Sequence, residues 1–486
     1  MKVSVSMSLL LFHVILSIAT ASSSPSVIIV GAGMSGISAA KTLQEAGIKD
    51  FLILEATNRI GGRIWKGEFA NHTIELGANW LFKGGLKYNI VHDIANKINL
   101  KSFYSDYSNL SSNTYKQEGG LYAKNEVEAQ IEIADARSDF CSNLSRILSA
   151  DPTNKENDIS ILAAERLYKK VPRTPVEMVV DFFYNDFEDA EPPRITSLKN
   201  TFPSHEFEDF GEDEYFVADQ RGFESVVHYI AKQFLDYKDG LLRDPRVKLN
   251  KVVREISYSK SGATLKTEDG SVYNAKHVIV SVSIGVLQSS LIKFIPEFPQ
   301  WKALAIESFD MAIYTKIFMK FPYKFWPTGN GTEFFLYAHE VRGYYPIWQH
   351  LENEIPGSNI LFVTVTDTES LRIEQQSDED TVTEAMEVLK KMFGKSTPKP
   401  ISILVPRWWS NRFYKGTYSN WPAAYTQKRY QQLKAHVGPI YFTGEHTNST
   451  YIGYVNGAYF SGINTANDLI KCHRNSSCKG HLNMHH

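Results

Sequence analysis

Six residues near the N-terminus, Gly31-Ala32-Gly33-Met34-Ser35-Gly36, restrict what this chain can fold into more than any other feature. They follow a short apolar run, Ser26–Val30, and lead into a segment with helical apolar spacing, Ile37–Ala46. A second apolar run, Phe51–Leu54, comes after Gly47. Strand, glycine turn, helix and strand make a βαβ unit, the start of a doubly wound parallel sheet. Gly31 permits the tight turn. Gly33 lets backbone approach a pyrophosphate, and Gly36 lets the helix pack close to the strand. The helix N-terminus then offers free N–H groups and a positive dipole end to phosphate. Glu55 ends the second strand, 19 residues after Gly36. An acid there accepts hydrogen bonds from adenosine ribose hydroxyls and disfavours a 2′-phosphate.

The residues just after Glu55 separate NAD from FAD. Arg59-Ile60-Gly61-Gly62-Arg63 is a second glycine pair with a cation that can neutralise pyrophosphate, which an NAD domain does not need. Glu75-Leu76-Gly77-Ala78-Asn79-Trp80 comes next. Near the other end, Tyr441-Phe442-Thr443-Gly444-Glu445-His446-Thr447 places a glycine and an acid after a late strand. That acid suits the ribityl chain of a flavin, beside a following helix whose N-terminus faces the ring.

The chain has 486 residues, 43% hydrophobic and 22% charged, enough apolar material for two or three domains. A net charge of −2 leaves no basic footprint for nucleic acid. Residues 1–21 read as a signal peptide: Lys2, an apolar run Leu9–Ile18, and Ala19-Thr20-Ala21 as the cleavage site. The run is too short to span a bilayer, and no later segment suggests a membrane span. N-x-S/T sequons at Asn71, Asn109, Asn143, Asn330, Asn448 and Asn475 agree with export. Cys472 and Cys478 are expected to close a short disulfide loop of about 2 kcal/mol, leaving Cys141 as a packed thiol. No CxxC or HExxH occurs, and no metal site is expected.

Along the chain, strand signals recur at Val247–Ile256, Ala263–Thr267, His277–Val282, Ile313–Phe321, Ile360–Val365 and Ile440–Thr443. Helical patterns cover Asn125–Leu148, Ile159–Lys170, Glu379–Met392 and Gly457–Ile470. The predicted class is α/β with an α+β substrate domain. Residues 25–95, 231–300 and 401–470 form a Rossmann-type nucleotide domain. It is interleaved with a substrate domain from 96–230 and 301–400, and 471–486 is a polar tail.

These motifs resemble the flavin-containing amine oxidases, and most closely the secreted polyamine oxidases of plants. GAGMSGISAA, LILEATNRIGGR, ELGANW, AEPPR, YFVADQRG, YTKIF, PRWWSNRFYKGTYSNWP and YFTGEHT carry the resemblance from Val27 to Cys478. It implies the two-domain FAD-linked amine oxidase fold and a non-covalent FAD. Glu55 and Arg63 would hold adenosine and pyrophosphate, and the Val253 backbone would pair with adenine. Gly77, Ala78, Trp80, Tyr414, Glu445 and Val455 would line the rest. Lys316, in Tyr314-Thr315-Lys316-Ile317-Phe318, would be the catalytic lysine near the flavin, its pKa shifted by burial. Trp408, Tyr418, Tyr314 and Tyr454 would wall a substrate tunnel, with cation–π contacts of roughly 0.5–2 kcal/mol each to a polyamine. Trp409 is expected in the core. In Phe187-Glu188-Asp189-Ala190-Glu191, Glu188 would bind substrate, while Asp189 and Glu191 read as a solvated loop.

The resemblance implies a secreted, apoplastic, glycosylated monomer. It would oxidise spermidine or spermine at a secondary amine, with oxygen as acceptor, giving an aminoaldehyde, a diamine and hydrogen peroxide. Two departures touch the substrate half. Phe82 stands where a substrate glutamate is expected, in a loop two residues shorter, with Lys83 adding a positive charge. Asp189 replaces the usual phenylalanine. The other readings are a flavin oxidase for a different amine and a weakly active, FAD-stabilised binding protein. Lys316, Tyr418 and Tyr454 together argue against the last.

Overall fold

The computed structural model describes residues 24–150 and 157–474. The expected signal peptide, the sequon at Asn475 and Cys478 lie outside the described residues, and the expected Cys472–Cys478 bridge with them. Four short runs rich in Val, Ile and Leu, with Val247–Lys248 at one edge, form a parallel five-stranded sheet. Its order is Val247–Lys248, Phe51–Leu54, Val27–Val30, His277–Val280, Ile440–Phe442. Ile28 and Val30 pack to one side with Val278 and Val280, and Val27 and Ile29 to the other with Ile53 and Ile279. Burial of both faces is why these strands read as continuous apolar runs rather than alternating ones.

The helix Met34–Glu45 follows the first strand and packs against the last helix, Val455–Arg474. Gly462 makes that approach possible. A Cβ there would meet Ser38 Oγ at 2.0 Å and the Ser35 carbonyl at 2.2 Å. The last helix therefore starts beside the glycine loop. It also runs four residues into the stretch expected to be a polar tail.

The predicted strand Val247–Ile256 is two strands. Val247–Lys248 edges the parallel sheet, and Val253–Ser259 joins a separate four-stranded sheet with Gly262–Thr267, Val272–Ala275 and Lys293–Ile295. Asn250, in the left-handed region at φ 57°, turns the chain between them. The Asn250 and Lys251 N–H groups bond the Thr57 and Glu55 carbonyls at 2.8 Å. Apolar content cannot reveal such a change of sheet.

A six-stranded sheet runs Ser402–Leu404, Tyr314–Lys320, Ile360–Thr366, Ile347–His350, Phe334–Ala338, Thr114–Lys116. Ser402–Leu404 thus pairs here although it falls inside 401–470. Tyr314–Lys320 does not alternate as predicted: its first six residues are all buried. Trp80–Lys83 pairs with Asp213–Val217, which also holds Ser102–Tyr104. The helices Lys124–Ala150, Ile161–Tyr168 and Pro175–Tyr184 pack nearby. The third begins with Thr174 and Glu177 in a reciprocal capping box and Pro175 in its first turn.

Candidate active site

One cavity of about 1000 Å³ runs from the glycine loop to the helices of the second half. At its first end, side chains at Gly31 and Gly36 are impossible. A Cβ would meet Ser281 O at 2.4 Å and Gly31 O at 2.1 Å, respectively. Gly33 differs: its Cβ would meet nothing nearer than Gly62 Cα at 3.8 Å, so the space there is open. Gly33 is also the N-cap of Met34–Glu45, and no side chain caps that helix. Its first N–H groups are left for an anion. Gly61, at φ +115°, donates its N–H to Ala32 O at 2.9 Å. The two glycine motifs therefore make one cradle.

Glu55 braces that cradle. Its Oε2 accepts the Ala32 N–H at 2.8 Å, and its Oε1 accepts the Thr57 N–H and hydroxyl at 2.8 and 2.7 Å. Val253, at the start of its strand, lines the same end of the cavity with Lys251 and Val252.

Arg63 and Glu445, 382 positions apart, form an ion pair at 2.7 Å, and Arg63 also donates to Thr417 O at 3.0 Å. Glu445 accepts the Ser419 hydroxyl at 2.9 Å and the Gly453 N–H at 2.9 Å. Burial opposes its charge, but Arg63, His446 and the Gly453 N–H outweigh that and hold the carboxyl below its ordinary value. Tyr414 is held by Arg59, which donates to its hydroxyl at 3.1 Å. Trp408 packs edge-on to Tyr414, 5.0 Å between centroids, and its Nε1 donates to Leu76 O at 3.3 Å. It thus stands beside Gly77, apart from the ring contacts of the tyrosine group below. Trp409, expected in the core, is 39% exposed. Glu374 accepts the Trp409 and Ser410 N–H groups at 3.1 and 2.9 Å, fixing a turn in which Trp408 takes the inward side.

Gly77, Ala78 and Trp80 carry the cavity to Lys316. A Cβ on Gly77 would meet Arg63 O at 1.9 Å. Lys316, 3% exposed, donates to Gly77 O at 3.0 Å and to Asn79 Oδ1, with its Nζ 5.3 Å from the Trp80 ring centroid. Burial lowers Lys316 from 10.5 to about 7, partly offset by Glu75. Burial likewise raises Glu75 from 4.5 to about 7 against the Phe223 N–H and Lys316. Glu75 Oε2 has no hydrogen-bond partner among the described residues. Glu75 and Asn79 lie inside the ELGANW motif, but sequence reasoning assigns them no role.

Beyond Lys316 stand the aromatic and acidic groups. Tyr314 and Tyr418 have ring centroids 6.1 Å apart. Tyr418 donates to the Glu188 carbonyl at 2.8 Å, and the Tyr454 hydroxyl donates to Glu188 Oε1. Val455, which opens the last helix, lines the wall beside Tyr454. Phe82 packs against Tyr454 at 5.6 Å and Phe207 at 5.5 Å. Lys83 faces away, its Nζ 5.4 Å from the Tyr215 ring.

The stretch expected as a solvated acidic loop is a short helix, Asp186–Asp189, packed into the protein. Asp189 lines the cavity, and burial together with Glu188 raises its carboxyl well above the ordinary value. Glu191 is 6% exposed and accepts from Asn420 Nδ2 at 3.0 Å. Glu206 and Glu214, which the sequence does not single out, also line the cavity. Cys141 is a buried free thiol, pushed up to about 12 by burial.

The residues fit a long dinucleotide carrying a ring system. An open, glycine-lined phosphate cradle continues without a break, past the Arg63–Glu445 pair, into an aromatic chamber holding Lys316. Comparisons with known proteins agree. The family described as flavin containing amine oxidoreductase matches residues 34–470. Polyamine oxidase 1 of Zea mays is 57% identical over 467 residues, 94% of this chain and 93% of its own. Polyamine oxidase 6 of Oryza sativa subsp. japonica is 54% identical over 469 residues, 95% and 94% of the two chains. A solved putrescine oxidase bound to putrescine superposes with a TM-score of 0.71 at 19% identity, over 92% of this chain and 99% of that one.

Proposed function

Because the chain belongs to the flavin-containing amine oxidoreductase family and is an FAD-dependent amine oxidase, we propose that it oxidises polyamines, spermidine and spermine, at a secondary amine. The observation that carries this reading is the single cavity in which the Lys316 chamber opens onto Tyr418, Tyr454 and buried carboxyls. A polyamine is methylenes punctuated by cations, and aromatic walls next to acids match both parts.

FAD binds non-covalently; the Gly31–Gly36 and Gly61–Gly62 cradle would hold its pyrophosphate, with Glu55, Arg63 and Glu445 as further contacts. When bound it would supply the hydride acceptor, with oxygen as the final electron acceptor. The protein's own work is binding, orientation and proton control. Tyr418 and Tyr454, both anchored on Glu188, flank the substrate near Lys316. The burial that lowers Lys316 also favours a neutral amine in the substrate, the form able to release hydride from its α-carbon. Burial brings the Lys316 amine down and the Glu75 carboxyl up to about 7, and each favours the charged form of the other. On this reading the products are an aminoaldehyde, a diamine and hydrogen peroxide.

The same proposal makes the protein a secreted, apoplastic monomer with two interleaved domains, a glycosylated surface and a Cys472–Cys478 bridge. The signal-peptide pattern at 1–21 and the exposed sequons Asn71, Asn143 and Asn330 support export. One observation favours a different amine: Phe82 packs on Tyr454, and Asp189 adds a carboxyl to the cavity near Tyr418. Identifying the products made in air separates the two. Diaminopropane with stoichiometric peroxide supports polyamine cleavage. Peroxide formed only with another amine, spermidine and spermine being left intact, overturns it.

A further inference from the structure

Glu214 and Glu206 have no part in the chemistry above, yet both face the cavity. Glu214 sits in the strand Asp213–Val217, in register directly opposite Phe82 of Trp80–Lys83. Opposed residues of an antiparallel pair project from the same face, with Cβ atoms about 5 Å apart. Glu214 therefore stands beside Phe82, which packs on Tyr454. Its Oε2 accepts the Tyr107 hydroxyl at 2.7 Å.

Glu206 approaches from the helix His205–Phe210, one residue before the Phe207 ring that also meets Phe82. It is 1% exposed. Asn456 Nδ2 donates to its Oε1 at 2.9 Å, while its Oε2 is buried with no hydrogen-bond partner among the described residues. A buried carboxyl oxygen without a donor is costly, and a ligand carrying N–H groups would relieve it. Both acids interact electrostatically with Glu188. Among the described residues no cationic side chain acts on Glu188, Asp189, Glu206 or Glu214, so these four carboxyls have no close counter-charge, although Lys316 lines the same cavity.

We infer that Glu206 and Glu214 form a second ammonium subsite, which takes a remote, non-reacting ammonium of a linear amine while Glu188 and Tyr454 hold the portion near Lys316. The inference deepens the polyamine reading and rests on it. The ligand it selects is a primary alkylammonium at the end of a flexible methylene chain. The N–H donors of an ammonium suit a carboxyl oxygen that has no donor of its own, as Glu206 Oε2 has none among the described residues, and Glu214 adds a second acidic group beside Phe82. The walls between, Phe82 and Phe207, suit methylenes rather than further charge.

The test uses the flavin-loaded protein and a matched pair of probes, diaminooctane and octylamine, which differ by one ammonium. Binding is read from the perturbation of the flavin absorption band. The wild type is expected to bind the diamine about tenfold more tightly or better, the usual worth of a hydrogen-bonded charge. Glu214→Gln and Glu206→Gln are each expected to cut that advantage several-fold, and the double variant to remove it. Two variants on separate elements keep the test decisive if one loses its flavin. An advantage unchanged in both, or none in the wild type, overturns the inference. Spermidine and spermine are added to the same wild-type sample. If neither reduces the flavin, the polyamine reading fails, and the probe ratio still reports on the acid pair.

Discussion

Replacing Lys316 by methionine keeps the length of the side chain and removes its charge. In the native protein burial brings this amine from 10.5 to about 7. At about 1.4 kcal/mol per pH unit, that bias against the ammonium form is roughly 5 kcal/mol. The folded state binds fewer protons than the unfolded state between pH 7 and 10.5. Lys316 therefore costs most below pH 7, and its cost fades as pH rises toward 10.5. Lys316→Met removes this cost but leaves Gly77 O and Asn79 Oδ1 without their donor, a loss of about 1–3 kcal/mol each. Near pH 7 the two effects nearly cancel or favour the variant. Between pH 7 and 9 the stability of the variant relative to wild type should fall by roughly 3 kcal/mol, as the wild type gains what the variant cannot. In flavin-monitored thermal unfolding that is a difference of several degrees, at about 2–4 °C per kcal/mol for medium-sized domains. Turnover, read as peroxide release, should drop on the order of 10²-fold or more, the usual range for a positioned acid–base group, with flavin content retained. A relative stability that does not change with pH would show that Lys316 titrates elsewhere. Unchanged turnover would remove it from the chemistry.

Other consequences are as direct. Glu445→Gln leaves Arg63 without its ion-pair partner, at a cost of about 1–3 kcal/mol, and should make flavin loss on dialysis faster; retention equal to wild type contradicts the pairing. Gly36→Ala drives a Cβ against Gly31 O at 2.1 Å and should abolish flavin binding, checked by the absorbance of the purified protein. Burial holds Glu206 and Glu214 up to about 8, so an entering cation releases protons from them; diamine affinity should rise from pH 6 to 8, and a flat profile refutes this.

The nucleotide half is legible in the sequence because its requirements are local. A turn that forbids Cβ atoms, an acid at the end of the next strand and a second glycine pair all fall within Gly31–Arg63. The rest depends on partners far away in the chain. Arg63 reads as a phosphate cation, but its contact with Glu445, 382 positions away, exists only once Phe51–Leu54 and Ile440–Phe442 are built into the same sheet. Glu214 is invisible because register decides its neighbour, and register leaves no mark on composition. The acids after Phe187 resemble any solvated loop in sequence. Their burial comes from how Asp186–Asp189 packs beside Tyr418 and Tyr454. Trp408 and Trp409 are chemically alike, and only the turn fixed by Glu374 decides which one faces inward.

The central claim is that the buried chamber at Lys316 oxidises a polyamine with bound FAD. Its most direct test adds spermidine to the purified protein under strict exclusion of oxygen and tracks the oxidised flavin band. The account predicts complete bleaching within the mixing experiment, full recovery of the band when air is admitted, and the same behaviour with spermine. A flavin band that neither polyamine changes, in a sample that another amine bleaches, would contradict it.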